Sequence, residues 1–509
     1  MAVTRRAFLG ASAALGTGAA VRGHAKDRKP NLLFILADDH AGYVLGADGN
    51  RQAITPNLDH LASEGTRFAA NYCNSPVCTP SRQCILTGLL PHAAGVTVLS
   101  TPLSEQRDTL AKALRREGAS TGVIGKMHFN QPGHPGLHGF DLALTEDVVQ
   151  QRWMKTVGPA PAFPDIRAKP AWKPFQDPAR IWLNAEKLPF PRRYEDMKST
   201  WMAAEAGRFL EEHKDDRFAL WVSFQEPHSP YDFPLEWRDR FLPASFPVPR
   251  VGPEDAGQIP LIFRDLSPRE KQGIIASYYT SVNYLDRNVG VVLDKLRSLN
   301  LENDTLVVYM ADHGYSLGQH GRFEKHCGYD PALRVPLMFR WPGRVKQGAV
   351  VTNFTESVDV PPTLLDLLNA PPLQTQHGQT LRPYLEGRRP ARPRAAVFSE
   401  YLENEEAYLR TTRWKLIHSS GKRERTDGYK TDHPTPGRTV RLYDLHQDPG
   451  EFRNVASQHP DVVAKLSADL LARFRSTHPE AEKEPAGMGL GLHQDDALEW
   501  YLRPRDARA

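Results

Sequence analysis

The chain has 509 residues, of which 40% are hydrophobic and 24% are charged, an ordinary globular composition. This length allows one large domain plus a smaller one, with an extensive buried core. The net charge of +4 is slight and no concentrated basic patch is evident, so the sequence argues against a nucleic-acid-binding protein.

The N-terminus carries an export signal. Thr4 to Leu9 reads TRRAFL, a twin-arginine motif, and an apolar run from Ala7 to Val21 follows it. Gly23-His24-Ala25 supplies small residues suitable for cleavage. The run is too short to span a bilayer permanently, although an uncleaved anchor stays open. We therefore expect residues 1–25 to be a signal peptide for the twin-arginine translocase, and a periplasmic or secreted bacterial protein.

Three apolar runs predict buried strands of a parallel sheet: Asn31 to Ala37, Phe218 to Phe224 and Thr305 to Met310. Each run ends abruptly in polar residues. Asp38 and Asp39 follow the first run, and Asp312-His313-Gly314 follows the third. Open α/β sheets bind ligands at the carboxyl ends of their strands, so these polar residues are candidate site residues.

Helices alternate with these strands. Thr55 as N-cap and Pro56 at the first position open one helix, and Pro80 lies in the first turn of another. The alternation predicts an α/β fold with a mostly parallel sheet. The predicted helices are Thr55 onward, Thr79 to Leu86, Thr109 to Glu117 and Pro268 to Leu299, with a further strand at Ser120 to Ile124. Residues 143–195 are rich in proline and aperiodic, which predicts long surface loops.

The most specific pattern is Cys78-Thr79-Pro80-Ser81-Arg82, followed by Thr87-Gly88. A cysteine at the mouth of a predicted helix, beside these residues, is typical of a reactive position. Buried structural cysteine is the ordinary alternative. Because Cys73 and Cys84 lie close by, a local disulfide or a thiolate metal site is also conceivable. Their spacing fits zinc sites poorly, however, and no Cys/His pair follows nearby.

Two strand ends that each deliver carboxylates predict a site for a hard cation. Adjacent carboxylates such as Asp38 and Asp39 ionise together comfortably only beside a positive charge. The predicted ligands are mostly oxygens, which favours Ca²⁺ first and Mg²⁺ second over zinc. A solvated pair of loop carboxylates is the alternative interpretation.

The pattern changes after about residue 391. Short strands are predicted at Ala396 to Glu400, Ala407 to Arg410, Trp414 to His418 and Arg441 to Leu445, followed by a helix from Pro460 to Thr477. This predicts a small antiparallel subdomain with one covering helix. The expected organisation is a signal peptide at 1–25, a catalytic domain at 26–390, a C-terminal subdomain at 391–480 and a flexible tail at 481–509.

The chain resembles the formylglycine-dependent sulfatases over most of residues 30–450. The shared features are the Asp pair after the first strand, the Cys78 signature and a second signature from Gly118 to His128, which departs from the usual pattern at Ala119. The Asp312-His313-Gly314 triplet is also similar to the family's metal motif. The resemblance implies an alkaline phosphatase-like α/β fold, with a large, mostly parallel sheet between helices and a small antiparallel C-terminal sheet with a helix.

The resemblance also implies roles for individual residues. Cys78 would be oxidised by a formylglycine-generating enzyme to an aldehyde, whose hydrate is the nucleophile. The implied metal ligands are Asp38, Asp39, Asp312, His313 and an oxygen of the modified Cys78. Five further residues are implied to be catalytic. Arg82 would hold the hydrate, and Lys126 and His128 would stabilise it. His228 would contact the sulfate or protonate the leaving oxygen, and Lys325 would bind the sulfate.

The chemistry of a sulfate ester agrees with such a set. Its negative charge is spread over several oxygens, so a metal and several cationic side chains must converge on it. The function implied is hydrolysis of a carbohydrate or other small organic sulfate ester. A phosphonate or phosphate monoester hydrolase is the enzymatic alternative, since related enzymes use the same modified cysteine and metal. A binding protein on an inactive hydrolase fold is disfavoured, because every expected position is filled.

Overall fold

In the computed structural model, the described residues are 29–170, 175–420, 428–431, 438–485 and 494–504. The predicted signal peptide, residues 1–25, lies outside them. Within these ranges, no helix is both long enough and apolar enough to cross a bilayer.

The strands of the described residues form one large sheet, one strand pair and one small sheet. In chain order they are β1 (Asn31–Ala37), β2 (Thr66–Phe68), β3 (Asn71–Tyr72), β4 (Ser120–Gly125), β5 (Leu142–Leu144), β6 (Phe218–Ser223), β7 (Thr305–Ala311), β8 (Leu337–Arg340), β9 (Ala349–Val351), β10 (Thr355–Glu356), β11 (Ala396–Tyr401), β12 (Glu406–Thr411), β13 (Trp414–Ser419) and β14 (Thr439–Asp444).

The α-helices range from single turns to one of 31 residues. They are α1 (Pro56–Ser63), α2 (Cys78–Thr87), α3 (Pro91–Ala94), α4 (Leu110–Arg116), α5 (Glu146–Val157), α6 (Lys198–Glu212), α7 (Leu261–Arg264), α8 (Pro268–Ser298), α9 (Asp330–Leu333), α10 (Val360–Leu367), α11 (Arg382–Leu385), α12 (Pro460–Thr477) and α13 (Gln494–Tyr501).

The large sheet has eight strands in the order β5-β4-β6-β1-β7-β8-β2-β9. The five strands from β5 to β7 run parallel to one another, whereas β8 is antiparallel to both of its neighbours. The predicted α/β fold with a mostly parallel sheet is therefore confirmed.

Both faces of the sheet are covered, which explains the continuous apolar strands. Along β1, Leu33 and Ile35 face a core that includes residues of α6 and α8. The alternating Leu32 and Phe34 face a second core, formed with residues of α4 and α10. Because strand side chains alternate between the two faces, a strand covered on both sides must be apolar throughout.

The small sheet is antiparallel, in the order β11-β12-β13-β14. It packs with α12 and α13 into a core that also contains Cys84 and Leu90 from the region of α2. This arrangement confirms the predicted antiparallel sheet with a covering helix. The helix that carries Cys78 therefore lies where the small sheet meets the rest of the chain.

Two predictions on the chain's organisation are wrong in part. Within residues 143–195, Glu146–Val157 forms α5, whose Val149 and Trp153 are buried one turn apart. The region predicted as a flexible tail contains α13, where Leu498 and Tyr501 are fully buried against the C-terminal core. Burial of these apolar side chains orders a segment whose preceding glycines suggested flexibility. Those glycines, at 487, 489 and 491, lie outside the described residues.

Candidate active site

The predicted site residues meet at one edge of the large sheet. Because β4, β6, β1 and β7 are parallel neighbours, their carboxyl ends lie side by side. Residues just after these four ends supply most of the site, as expected for an open α/β sheet. They are Lys126 and His128 after β4, His228 after β6, Asp38 and Asp39 after β1, and Asp312 and His313 after β7.

Cys78 is the first residue of α2 and faces this sheet edge. Its N-cap, Val77, provides no side-chain hydrogen bond, and every residue of the helix is buried. The helix ends at Gly88, whose φ of 70° is readily adopted only by glycine. Residue 78 is therefore fixed on a rigid element at the positive end of the helix dipole, an arrangement that favours a negatively charged group.

Three cationic groups surround the sulfur of Cys78. Its Sγ lies 3.2 Å from His313 Nε2 and 3.3 Å from Lys325 Nζ. Lys126 Nζ is 3.7 Å away. Burial opposes ionisation of the thiol, but the charges of Lys126, Lys325 and His313 hold the pKa of Cys78 well below its usual value. The position thus stabilises an anion on residue 78.

The carboxylates beside Cys78 form a candidate metal site. The ligand atoms of Asp38, Cys78, Asp312 and His313 all lie within 4.8 Å of one another. Asp38, Asp39, Cys78 and His228 form a second, overlapping group with the same property. Asp39 Oδ2 is buried and has no hydrogen-bond partner among the described residues. Three carboxylates and one unsatisfied buried oxygen fit a divalent cation that prefers oxygen ligands.

The protonation of this cluster is strongly perturbed. Burial raises the pKa of Asp312 to about 7, against the opposing charge of Arg82. Burial also acts to raise the pKa of Asp38, but Lys126, His228 and Arg82 together hold it well below its usual value. The charges of Asp312 and Cys78 overcome burial and raise the pKa of His313 to about 9. Opposite shifts on neighbouring groups are typical of functional sites.

Arg82 contacts the carboxylates, an arrangement that the sequence did not indicate. Its Nε lies 2.9 Å from Asp312 Oδ2, and its Nη2 lies 3.4 Å from Asp38 Oδ1. Its Nη1 donates to Ser223 Oγ at 2.7 Å. Arg82 therefore links two candidate metal ligands to the end of β6. Its predicted role in holding residue 78 stays a prediction.

His128 is positioned by a residue that sequence reasoning missed. Glu146 Oε1 accepts hydrogen bonds from the backbone N–H groups of Met127 (3.0 Å) and His128 (2.7 Å). The backbone of His128 has a φ of 51°, which is unusual for this residue type. Thr145 followed by Glu146 and Asp147 is an N-terminal helix signal that would have placed Glu146 on a helix.

His228 and Lys325 complete the set. His228 Nδ1 donates to the carbonyl of Ser229 at 2.6 Å, so Nε2 is the ring nitrogen left to act on a substrate. Lys325 Nζ also donates to Asp39 Oδ1 at 2.8 Å. The structure thus brings all ten predicted site residues together, and their individual roles remain predictions. Cys73, Cys84 and Cys327 are buried free thiols, without the disulfide left open above.

A cavity of about 1000 Å³ leads away from residue 78. Lys126, His128, His228 and Lys325 line its inner end together with Cys78. His326 also lines the cavity. His320 is not among the lining residues, and its ring stacks on Tyr329 with centroids 3.6 Å apart. This volume is sufficient for a small organic ligand.

The chain matches two family models. The model described as "Sulfatase" matches residues 30–370, and the model described as "N-sulphoglucosamine sulphohydrolase, C-terminal" matches residues 318–477. The first match alone covers about two thirds of the chain and includes all the site residues.

Individual relatives span nearly the whole chain. A choline-sulfatase of Rhizobium meliloti is 28% identical over 93% of this chain and 91% of its own length. An N-acetylglucosamine-6-O-sulfatase of Bacteroides thetaiotaomicron is 26% identical over 89% of this chain and 87% of its own. Among solved structures, a phosphonate monoester hydrolase of Agrobacterium radiobacter superposes with a TM-score of 0.74 at 26% identity, covering 88% of this chain and 96% of that one.

Proposed function

Because the chain belongs to the sulfatase family, we propose that it hydrolyses sulfate monoesters with residue 78, oxidised to formylglycine, as the nucleophile. The observation that carries this proposal is the convergence of Lys126, Lys325 and His313 on Cys78. An unmodified structural cysteine needs no such set of buried cations. A nucleophile that must approach a sulfate anion does need them.

The candidate metal ligands fit a divalent cation. Asp38, Asp39, Asp312 and His313 would hold it, together with an oxygen of residue 78. When bound, such a cation supplies charge neutralisation and acidifies a coordinated hydroxyl. Ca²⁺ is the first candidate and Mg²⁺ the second, because most of these ligands are oxygens. Arg82 holds two of the carboxylates in place through its own contacts.

The remaining residues act on the ester. Lys126 and Lys325 bind the sulfate oxygens and stabilise the charge that develops there. A hydroxyl of the hydrated residue 78 attacks sulfur, and the bond to the alcohol oxygen breaks as His228, protonated on both ring nitrogens, donates its Nε2 proton to that oxygen. The second hydroxyl of residue 78 then loses its proton, its carbon–oxygen double bond re-forms, and sulfate leaves. A serine at this position lacks the second hydroxyl and cannot complete the last step.

The variant Cys78→Ser tests this scheme. The variant is expected to release at most one equivalent of alcohol from an aryl sulfate and then to stop. Cys78→Ala is expected to release none, because it has no nucleophile. Steady-state turnover by Cys78→Ser near the wild-type rate would contradict the proposal. The wild-type protein, matured with a formylglycine-generating enzyme, is the reference.

Phosphonate or phosphate monoester hydrolysis is the second candidate function. The observation in its favour is the TM-score of 0.74 with a phosphonate monoester hydrolase. Paired aryl sulfate and aryl phosphonate esters with the same leaving group separate the two functions. We expect the higher kcat/KM for the sulfate. A higher kcat/KM for the phosphonate would favour the second candidate.

Export by the twin-arginine translocase to the periplasm, or beyond, is supported by the motif at Thr4 to Leu9. This route carries folded proteins, so oxidation of Cys78 by a formylglycine-generating enzyme would precede export. Replacing Arg5 and Arg6 together by lysine is expected to retain the protein in the cytoplasm, as measured by cell fractionation. Unchanged export of this variant would contradict the proposed route.

A further inference from the structure

The cavity in front of residue 78 has room for more than a sulfate group. Its inner end is formed by the cationic residues proposed to bind sulfate. The outer part would therefore hold the alcohol portion of the ester, and the residues that line it decide which alcohols fit. Two features of this outer part differ in chemistry from the inner end: an aromatic wall and an acidic rim.

The aromatic wall consists of Phe175, Trp182 and Tyr429, which line one side of the cavity. The ring of Phe175 packs against Trp182 with centroids 5.3 Å apart, and against Tyr429 at 5.1 Å. The planes of the two ring pairs meet at 82° and 63°, so the three rings do not lie in one plane. Such a wall offers apolar area and the negative faces of aromatic rings.

The wall begins and ends beside the proposed sulfate site. Trp182 lies edge-on to the ring of His228, with centroids 6.2 Å apart. At the other end, Tyr429 lies 4.6 Å from the ring of His326, the residue after Lys325. A ligand whose sulfate is held by the inner cations must therefore place its alcohol portion against these rings.

Gly428 allows the two halves of the wall to meet. Its φ is +85°, and a Cβ built there would lie 2.9 Å from Cε1 of Phe175. A larger residue would be strained and would displace the Phe175 ring. The backbone is thus adapted to bring Tyr429 against a segment about 250 residues earlier in the chain.

The acidic rim consists of Glu146, Asp147 and Glu403, which also line the cavity. Glu146 accepts the backbone N–H groups of Met127 and His128, and Glu403 accepts the N–H of Leu99 at 3.2 Å. In the part of the chain that the structure describes, none of the three carboxylates forms an ion pair with a lysine or arginine, and Glu146 Oε1 lies 4.0 Å from His128 Nε2. Their charge therefore acts on whatever occupies the cavity.

The cations of the outer cavity do not balance this rim. Lys169 is paired with Asp232 and also donates to the carbonyl of Pro230. Lys198 donates to the side-chain oxygen of Gln225 at 2.7 Å and is the remaining lysine of the outer lining. Among the described lining residues outside the proposed sulfate site, carboxylates therefore outnumber lysines.

We infer that the enzyme acts on sulfate monoesters whose alcohol portion is apolar or cationic, and that it discriminates against esters with a second anionic group. The inference rests on the proposed function, which places the sulfate at the inner end of the cavity. Ring faces attract apolar groups and cations. The carboxylates of the acidic rim repel a carboxylate or a second sulfate.

A charge series of substrates tests the inference. The three substrates are the sulfate esters of choline, of its uncharged tert-butyl isostere and of a hydroxy acid with the same chain length. We expect kcat/KM for the cationic and the neutral ester to exceed that for the carboxylate ester by about tenfold or more, which corresponds to roughly 1.4 kcal/mol. An aryl sulfate serves as the activity standard.

Variants of the wall and the rim connect the selectivity to these residues. The double variant Asp147→Asn/Glu403→Gln keeps the acceptor for Leu99 and is expected to raise kcat/KM for the carboxylate ester. Trp182→Ala is expected to lower kcat/KM for the cationic and neutral esters by about tenfold, with an unchanged Ki of inorganic sulfate. Trp182→Phe should restore part of the loss. Asp239→Asn/Asp294→Asn, which also removes two carboxylate charges but at exposed residues outside the lining, should change none of these values.

The outcomes separate the inference from the proposed function. The inference is wrong if kcat/KM for the carboxylate ester equals that for the other two esters, or if the rim and wall variants leave the selectivity unchanged. The sulfatase function stands in either case. If the matured enzyme hydrolyses neither the three esters nor the aryl sulfate, the proposed function fails, and the inference fails with it.

Discussion

At the scale of single residues, the site places buried positive charge around one side chain. Lys325 is nearly buried, and its Nζ contacts both Cys78 Sγ and Asp39 Oδ1. Burial alone would lower the pKa of this lysine, but the neighbouring charges of Asp39 and Cys78 raise it well above its usual value. Beside these anions Lys325 is protonated at neutral pH, as binding of a sulfate anion requires.

Lys325→Met tests the contribution of this charge. The substitution keeps much of the side-chain volume but removes the donor that is proposed to bind the transferring sulfate. We expect kcat/KM for an aryl sulfate to fall by about 10² to 10³, while the circular dichroism spectrum stays that of the wild type. Lys214→Met, at an exposed lysine of the same charge, is the control and should retain full activity. A fall of less than about threefold in Lys325→Met would remove this lysine from the catalytic set.

At the scale of elements, the long helix α8 supports the segment that precedes the site helix. Thr55 gives α1 no side-chain cap. Instead, Asp286 of α8 accepts the backbone N–H groups of Asn57 (3.2 Å) and Leu58 (2.8 Å), together with the side-chain amide of Asn57. A carboxylate from a neighbouring helix thus caps α1, and this packing cannot be read from the local sequence.

The cap predicts a pH dependence of stability. Burial raises the pKa of Asp286 to about 6, against the opposing effect of its hydrogen bonds. Because the folded pKa lies above the unfolded value of about 4, the folded state binds this proton more tightly. The stabilisation by the protonated group is full below pH about 4 and is lost as the pH rises to about 6.

Denaturant unfolding of wild type and Asp286→Asn at several pH values measures this effect. The free energy of unfolding of the wild type, relative to Asp286→Asn, should decrease between pH 4 and pH 6 and then level off. Asp294→Asn, at an exposed position on the same helix, should show no such trend relative to the wild type. A pH-independent difference for Asp286→Asn would contradict the raised pKa.

Much of the sheet could be predicted from sequence, because buried parallel strands read as continuous apolar runs with polar ends. The same feature located Asp38, Asp39, Asp312 and His313 at one edge. The antiparallel direction of β8 could not be predicted, because β8 is as buried as the parallel strands and has no pattern that distinguishes it from them. Helix α5 was missed because only two of its twelve residues, Val149 and Trp153, are buried. The aromatic wall joins segments that are distant in the chain, so no local sequence pattern predicts it.

At the scale of the whole molecule, a buried lysine joins the small C-terminal sheet to the large domain. Lys415 of β13 is fully buried. Its Nζ lies 2.7 Å from Asp330 of α9 and 2.7 Å from Glu451. The small sheet also packs on Cys84, on the helix that begins at residue 78. Displacement of the small sheet would therefore disturb the support of α2.

Lys415→Met tests this junction. The substitution leaves the buried carboxylate of Glu451 without its lysine and leaves Asp330 with Arg410 as its remaining cation, which is expected to cost about 3 kcal/mol of unfolding free energy. Denaturant unfolding measures the loss, with Lys465→Met on the exposed face of α12 as the control. An unchanged free energy of unfolding in Lys415→Met would show that the junction does not depend on this pair.

The central claim is that residue 78 acts as formylglycine. Mass spectrometry of the tryptic peptide that contains residue 78, from active enzyme, tests it most directly. Oxidation of the thiol to an aldehyde lowers the peptide mass by roughly 18 Da relative to cysteine. We predict that the fraction of peptide with this lower mass rises in proportion to the specific activity across preparations. An intact thiol at residue 78 in fully active enzyme would contradict the account.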